Sequence, residues 1–115
     1  MKEVKAYVRP SCLDVMIAEL EKAGAKDITI IRVDALGALV DYQNEKEHKW
    51  IRKYEEKYSA TAKIEIVCKD EQAGIFTEII KKMCHTGLKG DGRVFISNIE
   101  DAVNIRDGSR GEAAL

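Results

Sequence analysis

Several things are scarce in this chain, and each scarcity closes off a class of function. No apolar run approaches the ~20 residues of a membrane span, and Met1-Lys2-Glu3-Val4-Lys5 runs straight into an alternating pattern with no secretory core. Neither membrane insertion nor export is expected, and the expected location is cytoplasmic. The charges nearly cancel, 19 Lys and Arg against 20 Asp and Glu for a formal net charge of -1. No global pull toward nucleic acid or an anionic surface follows. There are three cysteines, Cys12, Cys68 and Cys84, an odd number at unrelated spacings. Neither a disulfide framework nor a zinc ribbon is expected from them, and all three are expected as reduced thiols. The two histidines, His48 and His85, sit in no Ser/His/Asp or Cys/His/Asn set, so no enzyme is expected. Cys84 and His85 are adjacent, and adjacent residues on a helix point in different directions. A buried thiol beside a surface histidine is the expectation. The competing reading is a metal ion held by Cys84 and His85 across a subunit interface, which would make the protein a metal sensor.

What is present is a regular pattern. At 115 residues, 45% hydrophobic and 34% charged, the chain fits one globular domain with a charged surface. Val4, Ala6 and Val8 alternate with Lys5, Tyr7 and Arg9, a half-buried strand that Pro10 ends. Ser11-x-x-Asp14 has the form of a capping box, and Leu13, Met16, Ile17, Leu20 and Ala23 follow at helical spacing up to Gly24. Residues 27–34 are rich in β-branched types and predict a second strand. Ala62, Ile64, Ile66 and Cys68 alternate in a third. Asp70 is placed to cap a helix carrying Ile75, Phe76, Ile79, Ile80 and Met83 on one face, and Arg93 to Ile99 predict a fourth strand. The order β-α-β, long connection, β-α-β is the split βαβ of the ferredoxin-like class, an α+β fold with an antiparallel sheet and both helices on one face.

Two stretches fall outside that frame. Residues 36–60 are too long for a hairpin link, and long links are commonly functional. Within them Glu45–Lys49 and Arg52–Glu56 are i,i+4 charge pairs, and Trp50, Tyr54 and Tyr58 recur at i, i+4, i+8, so a short helix is predicted. Its aromatic stripe either docks a partner or packs back onto its own domain or a neighbouring subunit. Of the C-terminal loop and tail, residues 100–115, the part from Asn104 to Leu115 is polar and Gly/Ser-rich until its last three residues and is expected to be partly disordered.

Between the second helix and the fourth strand lies Thr86-Gly87-Leu88-Lys89-Gly90-Asp91-Gly92-Arg93, with three of the chain's eight glycines. Repeated glycines favour a tight turn that a ligand can approach, its amides can form a concave anion site, and Lys89 and Arg93 put cations at its ends. The alternative is an ordinary helix-to-strand loop. On spacing alone the ordinary loop is commoner, since the run fits neither GxGxxG nor GxxxxGK[ST].

Placed in a split βαβ, Thr86-x-x-x-Gly90-Asp91-Gly92-Arg93-Val94-Phe95-Ile96-x-x-Ile99 resembles the C-terminal signature of the nitrogen-regulatory PII signal-transduction proteins. Arg9-Pro10 with Leu13-Asp14, Lys63 to Val67, and Ile105-Arg106 with the closing Ala113-Ala114-Leu115 resemble further parts of that family in the same order. The resemblance implies a homotrimer that binds adenine nucleotide (ATP, ADP or AMP) in clefts between subunits and regulates a partner enzyme, transporter or regulator through a long T-loop, here 36–60. It implies a glycine-rich B-loop over 85–93, in which Thr86, Gly87, Lys89, Gly90, Asp91, Gly92 and Arg93 serve the nucleotide phosphates. Gly37 would contribute from the base of the T-loop, Glu65 and Val67 would lie near the adenine, and Thr29 and Arg106 would reach in from the adjacent subunit. Trp50, Tyr54 and Tyr58 would be the partner-binding face.

The chain also departs from the family pattern. Leu39 stands where a glutamine helps to hold Mg-ATP and 2-oxoglutarate, and it cannot ligate a hard cation. Thr61 replaces a lysine that grips 2-oxoglutarate, and Asn104 replaces a second phosphate-binding arginine. Tyr54 occupies the position of the modified tyrosine, but in the setting Arg52-Lys53-Tyr54-Glu55-Glu56. These departures imply a weak or absent 2-oxoglutarate response, no uridylylation, and an open question over magnesium. A trimeric PII-like sensor of another small ligand or a metal ion is the alternative.

Overall fold

The alternation of β1 (Lys2–Val8) is realised as burial: Val4, Ala6 and Val8 turn inward, while Glu3, Lys5 and Tyr7 lie on the other face. A computed structural model describes residues 1–36 and 59–115 of the chain. A 3-10 turn at Pro10–Cys12 leads into α1 (Leu13–Lys22), followed by β2 (Thr29–Ala35), β3 (Ser59–Cys68), α2 (Asp70–Cys84), β4 (Gly92–Asn98) and a 3-10 turn at Gly111–Ala114. The sheet order is β2-β3-β1-β4 and each neighbouring pair is antiparallel. This is the ferredoxin-like fold. Both helices cover one face, where Met16, Leu20, Phe76 and Ile80 meet Val4, Ala6, Ile64 and Ile66 in a single core.

The opposite face carries mixed chemistry in register. One cross-strand row runs Thr29, Glu65, Lys5, Phe95 and the next Ile31, Lys63, Tyr7, Arg93. Four of its charges lie close along their own strands, Lys5 to Glu3 at 3.7 Å and Lys63 to Glu65 at 3.8 Å, while Arg93 stands exposed at the edge. Tyr7 meets Phe95 edge to face with centroids 6.1 Å apart.

Several local expectations change. Pro10 starts a 3-10 turn that absorbs Ser11, so α1 is entered through Cys12 without a side-chain cap. The cap of α2 is Lys69 rather than Asp70, and its N–H donates to the Gln72 side chain at 3.0 Å. Ile75 is exposed, because Ala73, Phe76, Ile80 and Cys84 form the seam of α2 and Ile75 falls off it. The β2–β3 ladder reaches Ala35–Ser59, so the link between these strands is 36–58. Gly37, Leu39 and the aromatic stripe Trp50, Tyr54, Tyr58 lie outside the described residues.

The tail is organised, not loose. Val103 and Arg110 form a bridge, the Arg110 guanidinium meets Asp101 at 2.8 Å, and the Asn104 side chain accepts the Arg106 N–H at 2.9 Å. Polar side chains that close their own turns do here what a hydrophobic stripe does for a helix. The cysteines are the other correction. Cys12 and Cys84 are joined as a disulfide, and Cys68 alone is a free thiol. Their 72-residue separation carried no signal, because the fold brings them together by stacking the entry to α1 against the exit of α2.

Candidate functional site

The glycine loop is built by register. Val8 pairs with Gly92, so the next residue of β1's strand, Arg9, comes opposite the residue that precedes β4, Asp91. The Arg9 guanidinium binds the Asp91 carboxylate through Nη1, donates from Nη2 to the Lys89 carbonyl at 2.6 Å, and reaches the Thr86 hydroxyl at 3.3 Å. Asp91 in turn accepts the N–H of Thr86 at 2.8 Å, the N–H of Gly87 at 2.9 Å, and the Thr86 hydroxyl. His85 Nδ1 stands 3.8 Å from the same carboxylate. The Thr86 hydroxyl also accepts the Leu88 N–H at 3.1 Å. Gly87, Gly90 and Gly92 all take positive φ, at 85°, 94° and 104°.

The concave amide site expected here therefore already contains an anion, and it is the protein's own. Partial burial raises the Asp91 pKa, but hydrogen bonds from the Thr86 hydroxyl and N–H, Arg9 and the Gly87 N–H outweigh it. The carboxyl is held well below the ordinary aspartate value. Asp91 is the hub that sets the loop's shape. The amides of Thr86, Gly87 and Leu88 are spent within the loop, and Lys89 and Arg93 are exposed at its rim.

The remaining expected residues fall elsewhere. Thr29, Glu65 and Val67 line a cleft of about 490 Å³ that also takes in Gln72 and Phe76 of α2 and Ala114 and Leu115 of the tail. Asp91, Gly92 and Arg93 line a separate cavity of about 330 Å³ with Lys81 and His85. Thr29 and Glu65, which the resemblance assigns to two different subunits, are direct cross-strand partners within one chain. Arg106 is exposed on the tail turn, its guanidinium 3.8 Å from Asp107. Thr61 is buried at the base of the long link, its hydroxyl donating to the Ser59 carbonyl at 3.1 Å. Sequence reasoning passed over Arg9 as a site residue. Its only signal was position: a cation at the end of a strand whose partner starts one residue after an aspartate.

A model of the family "Nitrogen regulatory protein P-II" matches residues 1–109. The chain belongs to the nitrogen regulatory protein P-II family. A P-II 2 protein of Methanothermobacter thermautotrophicus is 35% identical over 119 residues, covering 100% of this chain and 97% of that one. The P-II of Porphyra purpurea is 33% identical with both chains covered in full. Among solved structures, Arabidopsis thaliana PII bound to citrate superposes with a TM-score of 0.79 at 30% identity, covering 99% of this chain and 91% of that one. Among the described residues of this P-II chain, no helix is long and apolar enough to cross a membrane, and no three His, Cys, Asp or Glu gather as a metal site. The Cys84 sulfur is bonded to Cys12, so the pair Cys84 and His85 offers no thiolate in this state.

The hub makes a pH-dependent prediction. Asp91→Asn removes an ionised acceptor and should cost about 1.5–3 kcal/mol at neutral pH, as for hydrogen bonds to charged groups. Because the folded-state pKa is depressed, this contribution is present above the unfolded value near 4 and is lost as pH falls toward the lower folded value. Urea unfolding of both proteins should show a gap at pH 7 that narrows below about pH 4. A gap that stays constant with pH would remove Asp91's charge from the account.

Proposed function

We propose that this P-II protein is a homotrimeric signal transducer that binds adenine nucleotide between subunits and regulates a partner protein through the 36–60 segment, without catalysing a reaction of its own. The single observation that carries the reading is the pre-organised loop on a P-II framework. Arg9 and Asp91 hold it internally, which leaves Lys89, Gly90 and Arg93 at the rim to meet phosphate. Arginine suits phosphate because its fork can bind two oxygens at once. In this reading Asp91, Thr86, Gly87 and Gly92 act by holding the loop, Glu65, Val67 and Thr29 border the adenine, and Arg106 and Gly37 complete the cleft.

The open sheet face supports the trimer reading. Ile31 and Phe95 are exposed there beside Tyr7, and Lys5 and Lys63 each lie near a carboxylate of their own strand. A face with apolar groups and paired charges is cheaper to bury than one with free charges. The 2-oxoglutarate response is proposed to be weak or absent, since Thr61 offers a hydroxyl already donated to Ser59 where a dicarboxylate needs a cation.

Calorimetry with ATP, ADP, AMP and 2-oxoglutarate, with and without Mg²⁺, tests the reading. Binding of at least one adenine nucleotide is expected. Failure of all three would leave the P-II fold in use as a scaffold or as the sensor of a different ligand. Arg93→Ala and Arg106→Ala should each weaken the bound nucleotide by about 1.5–3 kcal/mol, the worth of a charge-assisted hydrogen bond. Unchanged affinity in either variant removes that residue from the site.

A further inference from the structure

The bond between Cys12 and Cys84 is the feature beside the glycine loop that the proposed function leaves unused. Cys12 closes the turn that follows Arg9 and caps α1, while Cys84 is the last residue of α2, directly before His85 and Thr86. The crosslink, with Cα atoms 5.5 Å apart, therefore ties together the two legs of chain on which the Arg9–Asp91–Thr86 network stands. Nothing else near the loop joins them covalently. Its other bonds are the Arg9–Asp91 ion pair and the hydrogen bonds around it, non-covalent links that local fluctuation opens.

The geometry points to a reversible dithiol–disulfide site at Cys12 and Cys84 that sets how firmly the glycine loop is held, with a low-molecular-weight disulfide of the glutathione class as co-reactant. Cys12 is the sulfur solvent reaches first: it is half-buried, whereas Cys84 is 7% exposed and packed with its sulfur 3.7 Å from Met16 Sδ. It also stands at the N-cap of α1, on the turn that carries Arg9. Starting from the dithiol, the Cys12 thiolate attacks one sulfur of oxidised glutathione, and the S–S bond breaks to release one glutathione. The Cys84 thiolate then attacks the Cys12 sulfur of the mixed disulfide and releases the second. The two cysteines lose two electrons and two protons in total, and one glutathione disulfide becomes two thiols. Excess glutathione runs the same steps backwards.

The third cysteine stays out of the exchange. Cys68 pairs with Lys2, at the far end of the β1–β3 ladder from the Val8–Ala62 pair, roughly 20 Å away at the rise of a strand. It is buried, and burial pushes its thiol up.

The test uses the full chain and needs no nucleotide, so its failure is separate from any failure of the proposed function. The protein is equilibrated in glutathione buffers from fully reduced to fully oxidised and alkylated, and peptides are identified by mass spectrometry. Hydrogen exchange of residues 84–92 is followed at short labelling times, when local opening and not global unfolding governs the signal. Cys12 and Cys84 should become protected together within the glutathione range while Cys68 does not follow them. The Thr86 and Gly87 amides should exchange severalfold faster in the reduced protein. Cys12→Ser should exchange at the fast rate in every buffer; should that variant not fold, reduced wild type supplies the same comparison. Cysteines that stay alkylatable in every buffer, cysteines that stay bonded in the most reducing one, or loop amides with one rate in both states would each overturn the proposal.

Discussion

Gly92→Ala is expected to be the most damaging single substitution outside the core. Gly92 opens β4 at φ 104°, and a Cβ there would lie 1.7 Å from the Tyr7 carbonyl oxygen and 2.8 Å from its carbonyl carbon. Both obstacles are backbone of the central strand β1, so no rotamer change relieves them. The edge strand must give way, and with it go the Val8–Gly92 pairing and the seat that brings Asp91 to Arg9. A left-handed backbone costs a non-glycine residue about 1–2 kcal/mol, and overpacking adds about 1–3 kcal/mol. Against a typical total of roughly 5–15 kcal/mol, that is a large share. Melting followed by circular dichroism should show a drop on the order of 10 °C or more. The comparison is made at one protein concentration, because the proposed trimer would make melting points concentration-dependent. Gly74→Ala is the contrast: it lies within α2 with nothing within 4 Å of its Cβ position, and it should not destabilise. A melting point for Gly92→Ala as high as that of Gly74→Ala would sink the steric account.

The same glycine shows how the fold was legible and how the site was not. Strands and helices were readable because each has a period that burial enforces. Val4, Ala6 and Val8 face the helices because a strand alternates, and Met16 and Leu20 face the sheet because a helix returns every 3.6 residues. Where competing local chemistry decided the outcome, the reading slipped. Pro10 drew Ser11 into a 3-10 turn, and the tail, judged by composition, proved to be closed by Asp101, Asn104 and Asp107 acting on neighbouring backbone.

The glycine loop was legible as a tight turn between helix and strand, but the carboxylate that holds it was not. Lys89 and Arg93 announce themselves as cations beside glycines, whereas the role of Arg9 depends on the strand register that sets it opposite Asp91. A register is a long-range fact, fixed by which residues of β1 and β4 share the buried face. It becomes visible only when both strands are placed. Thr29 and Glu65 make the same point. Seven residues of β2 must align with β3 before the two meet, and nothing local to either residue says so. The disulfide lies furthest from sequence reasoning, since its halves share no motif and meet only because α1 and α2 pack side by side.

That last pairing yields the other large expected effect. Reducing the Cys12–Cys84 bond frees a loop of 72 residues in the unfolded chain, and the loop-closure account assigns about 4 kcal/mol of lost stability to a loop of that length. The effect acts on the unfolded ensemble, so it should appear as a lower urea midpoint with the core intact. Oxidised wild type, reduced wild type and Cys12→Ser, unfolded at one protein concentration, should give one high midpoint and two low ones. Cys68→Ser should keep the full difference between oxidised and reduced forms, because Cys68 closes no loop. Coincident midpoints for oxidised and reduced wild type would mean the crosslink adds nothing to global stability. The local and global effects are separable: closing the loop in the unfolded chain shifts the urea midpoint, while holding Arg9 against Asp91 in the folded one slows exchange at Thr86 and Gly87. A bond that served only the unfolded state would move the first and leave the second unchanged. A bond that also clamps the glycine loop must move both.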